Sequence, residues 1–270
     1  MQKQIHIPKS IIDMARDNKL IFFIGAGFSR DFGFPDWNGL VELMLKQVIE
    51  DDPKYQPFLS LLETKTMNAL DILDNIQNEK RIIRDTIHKE FKYENSKSHL
   101  LVKHKKLLNV SSKIITTNYD QLIEKAADGQ IEKVVYTNSH LMGRISNLDS
   151  FIFKIHGDHE DADKCILLKS DYEKLYNEDN AALSQFKNII ANNTIVFIGF
   201  SLSDPYVSNL FNYINKIYDG YQERSYMLTV NDEDFTKFNI KTLKLETYEE
   251  IVMFLDQLNE EAKKKNYRDL

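Results

Sequence analysis

Leu20-Ile21-Phe22-Phe23-Ile24-Gly25-Ala26-Gly27-Phe28-Ser29 is an unbroken apolar run that stops on two glycines with one small residue between them. Such a run suits a strand buried on both faces of a parallel sheet. Glycines directly after it allow a sharp turn into a helix. They also let the backbone approach a phosphate, and the N-terminus of a following helix favours negative charge. The stretch therefore reads as a phosphate cradle at a sheet edge, although a ligand-free tight turn would use the same residues. The spacing alone does not choose. It is Gly25-x-Gly27-x-x-Arg30, so the third glycine of the dinucleotide fingerprint is missing. Glu42 and Glu50 fall where a ribose-binding acid would stand, and neither is assigned that role. No Gly-Lys-Ser/Thr follows, which excludes a Walker loop.

Upstream, Ile7 to Lys19 has helical spacing, with Ile11, Ile12 and Ala15 on one side. Downstream, residues 38 to about 106 are helical in pattern almost throughout, as in Leu40-Val41/Met44-Leu45/Val48 and Ile82-Ile83/Ile87. That is too long for one crossover helix and predicts a helical lobe inserted at about 38–108. Strands are then predicted at Lys113–Thr116, Lys133–Tyr136, Phe151–Lys154, Thr194–Ile198, Tyr226–Val230 and Lys241–Leu245. Helical patterns at Tyr119–Ala127, Asn180–Ala191, Pro205–Tyr218 and Tyr248–Lys263 lie between or after them. The alternation predicts an α/β fold: a Rossmann-like, doubly wound parallel sheet with an inserted helical lobe. Residues 1–270 are read as one domain.

In an open parallel sheet, ligands bind beyond the carboxyl ends of the strands. Four predicted strands end there in glycine or polar clusters. They are Gly25-Ala26-Gly27-Phe28-Ser29, Thr116-Thr117-Asn118-Tyr119-Asp120, Ile155-His156-Gly157-Asp158 and Gly199-Phe200-Ser201. Their convergence on one edge strengthens the nucleotide reading beyond the glycine pair.

Composition narrows the partners. A net charge of −6 gives no electrostatic case for nucleic acid or anionic membrane as the main partner. The hydrophobic content of 42% is ordinary for a globular chain, and no apolar run approaches the ~20 residues of a membrane helix. Cys165 is the only cysteine, so neither an internal disulfide nor a cysteine-rich zinc site can form within one chain. Met1 to Pro8 lacks a long apolar core, so no signal peptide is expected and a cytoplasmic location is the simplest reading.

The ordered set Gly25-Ala26-Gly27-x-Ser29, Gly33-Phe34-Pro35-Asp36, Thr116-x-Asn118-x-Asp120, His156-Gly157 and Gly199-x-Ser201 resembles the sirtuin superfamily, over about residues 20–245. The resemblance implies NAD bound between a Rossmann-like domain and a smaller lobe, with cleavage of its bond to nicotinamide. It implies Gly25, Ala26, Gly27 and Ser29 at the pyrophosphate, with Ser201 there or at the adenine ribose. Asp36, Thr117, Asp120 and Gly199 would also bind the cofactor, Asp120 through the carboxamide. Asn231 matches the residue that contacts the adenine ribose, and Asn231-Asp232 would equally start a turn. His156 and Asn118 are the implied catalytic pair, His156 as general base and Asn118 on the ribose or the attacking water. Asn118 would also serve as an N-cap of a helix starting at Tyr119, Asp120 as a first-turn acid, and His156 as a histidine closing a strand end.

The departures are informative. Protein-deacylating sirtuins carry a four-cysteine zinc module after His-Gly, and this chain has one cysteine. Their usual Gln is Thr117 here, and the Phe-Arg after Pro-Asp is Trp37-Asn38. The phrase Gly199-Phe200-Ser201-Leu202-Ser203-Asp204-Pro205 looks more like the sirtuin-like effectors of bacterial anti-phage defence, Thoeris-type and related abortive-infection systems, which hydrolyse NAD. The expectation is an NAD glycohydrolase restrained by homo-oligomerisation or by a partner protein that senses infection. A catalytically silent NAD or ADP-ribose sensor is the alternative, and a zinc-free deacylase or ADP-ribosyltransferase a further one. No metal is expected: His156-x-x-His159 with Asp158, Glu160 and Asp161 reads as an acidic, solvated loop. Asp204 before Pro205 reads as a helix N-cap. Trp37, Phe32 and Phe34 would line the nicotinamide side or pack the lobe.

Overall fold

A computed structural model describes residues 4–177, 180–202, 205–217 and 225–264. Seven strands form one sheet: β1 (Leu20–Ile24), β2 (Lys113–Thr116), β3 (Lys133–Val135), β4 (Phe151–Lys154), β5 (Thr194–Ile198), β6 (Ser225–Thr229) and β7 (Lys241–Lys244). All pairs are parallel, in the order β3-β4-β2-β1-β5-β6-β7. The doubly wound sheet expected from the alternation is therefore present, with boundaries shifted by a residue at β3, β6 and β7. β7 is an edge strand, and its exposed Lys241 and Lys244 discourage pairing with a further chain.

Alternation along the strands sets the two faces. In β1, Ile21 and Phe23 enter one apolar layer, while Leu20, Phe22 and Ile24 enter the other. β5 divides in the same way, Ile195 and Phe197 against Val196 and Ile198. Each of these apolar side chains is worth about 1.5–3 kcal/mol when fully buried, and the one polar residue in the two strands is Thr194, at the start of β5. The second face is covered by α1 (Lys9–Arg16), with α6, α7 and α12 named below.

Between β1 and β2 lie α2 (Trp37–Asp51), α3 (Gln56–Glu63), α4 (Ala69–Asn75), α5 (Lys80–Glu90) and α6 (Val102–Val110). The first, third and fourth of these share their own core with Tyr119, Cys165 and Leu167. Then come α7 (Leu122–Ala127), α8 (Ser139–Met142), α9 (Lys169–Asn177), α10 (Ala181–Ala191), α11 (Pro205–Ile217) and α12 (Glu250–Lys263). α8 to α11 cover the first face. Asp204, read as a cap of α11, lies outside the described residues, as does Tyr218.

Two expectations are corrected. The glycine turn does not enter an α-helix; Ala26–Phe32 is a 3₁₀ turn ended by Gly33 at φ 82°, and α2 begins only at Trp37. Nor does a helix begin at Tyr119: α7 starts at Leu122 with Gln121 as its cap residue, so Asn118 is not an N-cap.

β1 is the switch point of the sheet, with β2 on one side and β5 on the other. Here the loops after β1 and β5 cross in contact. The Gly25 amide donates to Ile198 O (2.9 Å) and the Gly27 amide to Gly199 O (2.9 Å). A Cβ would meet Gly199 O at 2.7 Å from Gly25 and at 3.0 Å from Gly27; from Gly199 it would meet the Phe28 nitrogen at 2.5 Å. Gly199 also sits at φ +80°, a conformation that costs any other residue strain. Gly199→Ala is expected to lower unfolding free energy by more than about 1 kcal/mol, read from the urea midpoint. An unchanged midpoint would refute the crossing as a steric constraint.

Candidate active site

A cavity of about 330 Å³ opens at the carboxyl edge of the sheet. Gly27 and Ser29 after β1, Thr117 to Asp120 after β2, His156 after β4, Gly199 and Ser201 after β5, and Asn231 after β6 all line it. Ala26 and Asp36 line it too, with Phe34 and Trp37 on the side of the helical lobe, where both also pack into that lobe's core. Gly25 does not; its role is the loop crossing beneath.

The loop after β2 is built by hydrogen bonds to β1. Thr117 N donates to Ile24 O (3.2 Å), and the Thr116 hydroxyl donates to the same oxygen (2.9 Å) while accepting from Asn118 N (3.0 Å). Asn118 Nδ2 then donates to Ser29 Oγ (3.1 Å) and Gly25 O (3.3 Å). Ser29 donates to Asp120 Oδ2 (2.8 Å), and Asp120 Oδ1 accepts from Leu122 N (3.0 Å). Ser29, Asn118 and Asp120 thus form one buried chain tying the β1 loop to the β2 loop. Its open end is Asn118 Oδ1, which is buried and accepts from no donor among the described residues. An orphaned buried acceptor of this kind asks for a partner.

Beneath the loop sits Lys154, the last residue of β4, with its side chain wholly buried. Its Nζ donates to the carbonyls of Tyr119 (3.3 Å) and Asp120, and pairs with Asp158 Oδ2 (2.9 Å) and Glu124 Oε1 (3.1 Å). Burial alone would lower the Lys154 pKa; Glu124, Asp158 and Asp120 outweigh it and hold it raised. Burial would raise Asp158, and Lys154 instead brings it down to about 2. This corrects the reading of a solvated acidic loop: Asp158 and His159 are buried, and of that stretch Glu160 and Asp161 face water. The claim of Lys154 on two carbonyls also explains the late start of α7. Among the described residues no group of three or more His, Cys, Asp or Glu could hold a metal.

His156 is buried against two tyrosines of α9. Its ring meets Tyr172 and Tyr176 edge to face, and Nε2 lies 2.7 Å from the Tyr176 hydroxyl. Burial pushes its pKa down to about 3, so the imidazole is neutral at neutral pH. Ser201 donates to Glu233 Oε1 (2.7 Å), which also accepts from Leu202 N (2.8 Å). Asp36 caps α2 by accepting from Gly39 N (2.9 Å). The exposed Asn231 has its amide bonded to Thr229 Oγ1 (3.0 Å).

Tyr172, Tyr176, Lys154 and Glu233 were not singled out in the sequence. The signals were present: two tyrosines at i, i+4 spacing, and a lysine ending the otherwise apolar strand Phe151-Ile152-Phe153.

An all-parallel, doubly wound sheet whose switch point opens into a cavity with an Asn, a neutral His and a Gly-Ala-Gly turn has the arrangement in which open α/β sheets bind their ligands. The chain belongs to the SIR2-like family: residues 112–252, just over half of it, match the SIR2-like domain. That span includes Asn118, His156, Ser201 and Asn231. The chain is 28% identical over 278 residues to the NAD(+) hydrolase ThsA of Bacillus cereus (strain MSX-D12), covering 94% of this chain and 56% of that protein. It is 30% identical over 215 residues to Defense-associated sirtuin 2 of Bacillus subtilis, covering 77% and 20%. The NAD(+) hydrolase ThsA of Acinetobacter baumannii (strain 532279) is 23% identical over 284 residues, covering 95% and 56%. The chain therefore spans little more than half the length of these two ThsA relatives and a fifth of Defense-associated sirtuin 2.

Two outcomes test this site. Lys154→Met leaves Glu124 without a cation and Asp158 with only the half-buried Lys133 (3.3 Å), and unfolding free energy is expected to fall by about 3–5 kcal/mol in urea; a loss below about 1 kcal/mol would contradict the account. The second concerns acid. His104 is fully buried between Phe28 and Phe32, neither ring nitrogen has a hydrogen-bond partner among the described residues, and burial lowers its pKa from 6.5 to about 3. Between those values the unfolded chain binds a proton that the folded chain refuses, at His104 and at His156. Stability should therefore fall as pH drops below 6.5, by up to about 1.4 kcal/mol per pH unit for each histidine. His104→Phe should make that loss shallower in urea titrations from about pH 6.5 to about pH 4.5; an equally steep loss would refute it.

Proposed function

We propose that this chain is an NAD glycohydrolase, converting NAD and water to nicotinamide, ADP-ribose and a proton. The reading takes residues 1–270 as one SIR2-like unit with a helical insertion at about 38–108. The observation that carries it is the pairing, in one cavity, of the neutral His156 with the orphaned acceptor of Asn118. The names of the ThsA relatives support the same activity.

The glycosidic bond to nicotinamide breaks with positive charge growing on the ribose, as in glycoside cleavage. Nicotinamide leaves as a neutral molecule from a cationic precursor, so no acid is needed to expel it. A charged imidazole nearby would oppose the ribose cation. Burial keeps His156 uncharged and a weak base at rest; as general base, on the attacking water directly or through a ribose hydroxyl, it would gain basicity as positive charge leaves the ribose and the Tyr176 contact opens. Asn118 Oδ1 would accept a hydrogen bond from that water or from the ribose. Asp120 has both oxygens engaged, by Ser29 and Leu122, so its carboxamide role would require one bond to exchange. The contact of His156 with Tyr176 engages the nitrogen a base would use and suits an enzyme held in check.

The wider setting belongs to the same proposal. The protein would act in the cytoplasm as an NAD-depleting, abortive-infection effector of anti-phage defence. Its restraint would come from homo-oligomer assembly, a partner protein that senses infection, or both. No described helix is long and apolar enough to cross a membrane.

Purified protein with NAD, across protein concentration and with candidate partners, should release nicotinamide. His156→Ala and Asn118→Ala should each slow release by about 10²-fold or more. Release in no condition, or release indifferent to both substitutions, would defeat the proposal; saturable NAD binding without turnover would favour a silent sensor instead.

A further inference from the structure

The dinucleotide of the proposed reaction carries two phosphates, and the cavity offers them little obvious positive charge. The amide of Gly27, which a phosphate cradle would use, is already bonded to Gly199 O (2.9 Å), and that of Phe28 to Gly25 O (3.0 Å). The 3₁₀ turn Ala26–Phe32 is too short to bring the dipole of a long α-helix to the site. Two acidic residues, Asp36 and Asp120, line the cavity, and His156 is neutral.

One cation lines the cavity among the described residues: Arg30, on the exposed side of that 3₁₀ turn. Its neighbours in charge are committed elsewhere. Lys103 pairs with Asp31 (2.7 Å) and covers the Phe28 ring, and Lys97 pairs with Glu94 (2.9 Å). Arg30 forms no ion pair among the described residues. It also occupies the place of the third glycine in Gly25-x-Gly27-x-x-Arg30, one residue after Ser29. A guanidinium presents a planar fork of donors that fits phosphate oxygens two at a time.

We infer that Arg30 is the diphosphate-binding residue of this cavity, supplying by side chain the charge that the engaged glycine amides do not. This rests on the dinucleotide reading of the cavity. It predicts selectivity for ligands with a bridging diphosphate over their uncharged nucleoside parts, and affinity that weakens as salt rises.

Calorimetric titration of the whole chain with ADP-ribose and with adenosine, for wild type, Arg30→Gln and Arg30→Lys, tests it. Arg30→Gln should weaken ADP-ribose about tenfold or more while leaving adenosine within about twofold. Arg30→Lys, which keeps the charge and loses the fork, should fall between. The salt dependence of ADP-ribose binding should flatten in Arg30→Gln. If Arg30→Gln binds ADP-ribose as wild type does, or loses adenosine equally, the assignment to Arg30 is wrong while the dinucleotide reading stands. If wild type binds no ADP-ribose and releases no nicotinamide from NAD, the dinucleotide reading itself has failed and takes the assignment with it.

Discussion

Two backbone segments cross at the centre of this molecule with no room for a single methyl group between them. Gly25 and Gly27 follow β1, Gly199 follows β5, and each leaves space that the other loop occupies. The crossing fixes where the two halves of the sheet diverge. It fixes the start of the 3₁₀ turn, and so the placement of Ser29 and Arg30. Through Ser29 it sets the height of Asn118 and Asp120. The glycines are thus needed for the fold whether or not a phosphate ever approaches them.

Above that crossing, polarity is arranged so that almost every group is answered within the protein. Ser29, Asn118 and Asp120 answer one another, and Lys154 answers the carbonyls of Tyr119 and Asp120. A network closed on itself orients its members before any ligand arrives, which is how positioned groups come to favour a transition state over a ground state. What is left unanswered among the described residues, Asn118 Oδ1 and the charge of Arg30, is where specificity toward a ligand would reside.

Much of this was legible in the sequence because strands buried on both faces announce themselves. Leu20–Ile24, Lys113–Thr116, Phe151–Lys154 and Thr194–Ile198 have the boundaries their apolar runs predict. The polar residues at their ends meet because a parallel sheet gathers its carboxyl ends on one edge. Contacts set by tertiary packing were not legible. Nothing local in Gly25-Ala26-Gly27 says that its partner is Gly199, more than 170 residues on, or that the helix expected after it would tighten into a 3₁₀ turn. Asn118 and Tyr119 carry a plausible helix start, overridden by a lysine 35 residues later. α9, with its mixed polar face and two tyrosines, shows its purpose only when His156 is seen between them.

Lys154 has a consequence for motion. Its charge is tolerable inside the protein only while Glu124 of α7, Asp158 beyond β4 and the two loop carbonyls are all in place. Pull Lys154 away and Glu124 sits in a dry interior with uncompensated charge while Asp158 keeps only Lys133, at a cost of several kcal/mol. These three segments therefore have no favourable half-open arrangement. They should exchange amide hydrogens with solvent as one cooperative unit, near the rate of global opening, whereas the peripheral α3, which has no fully buried residue, should exchange far sooner.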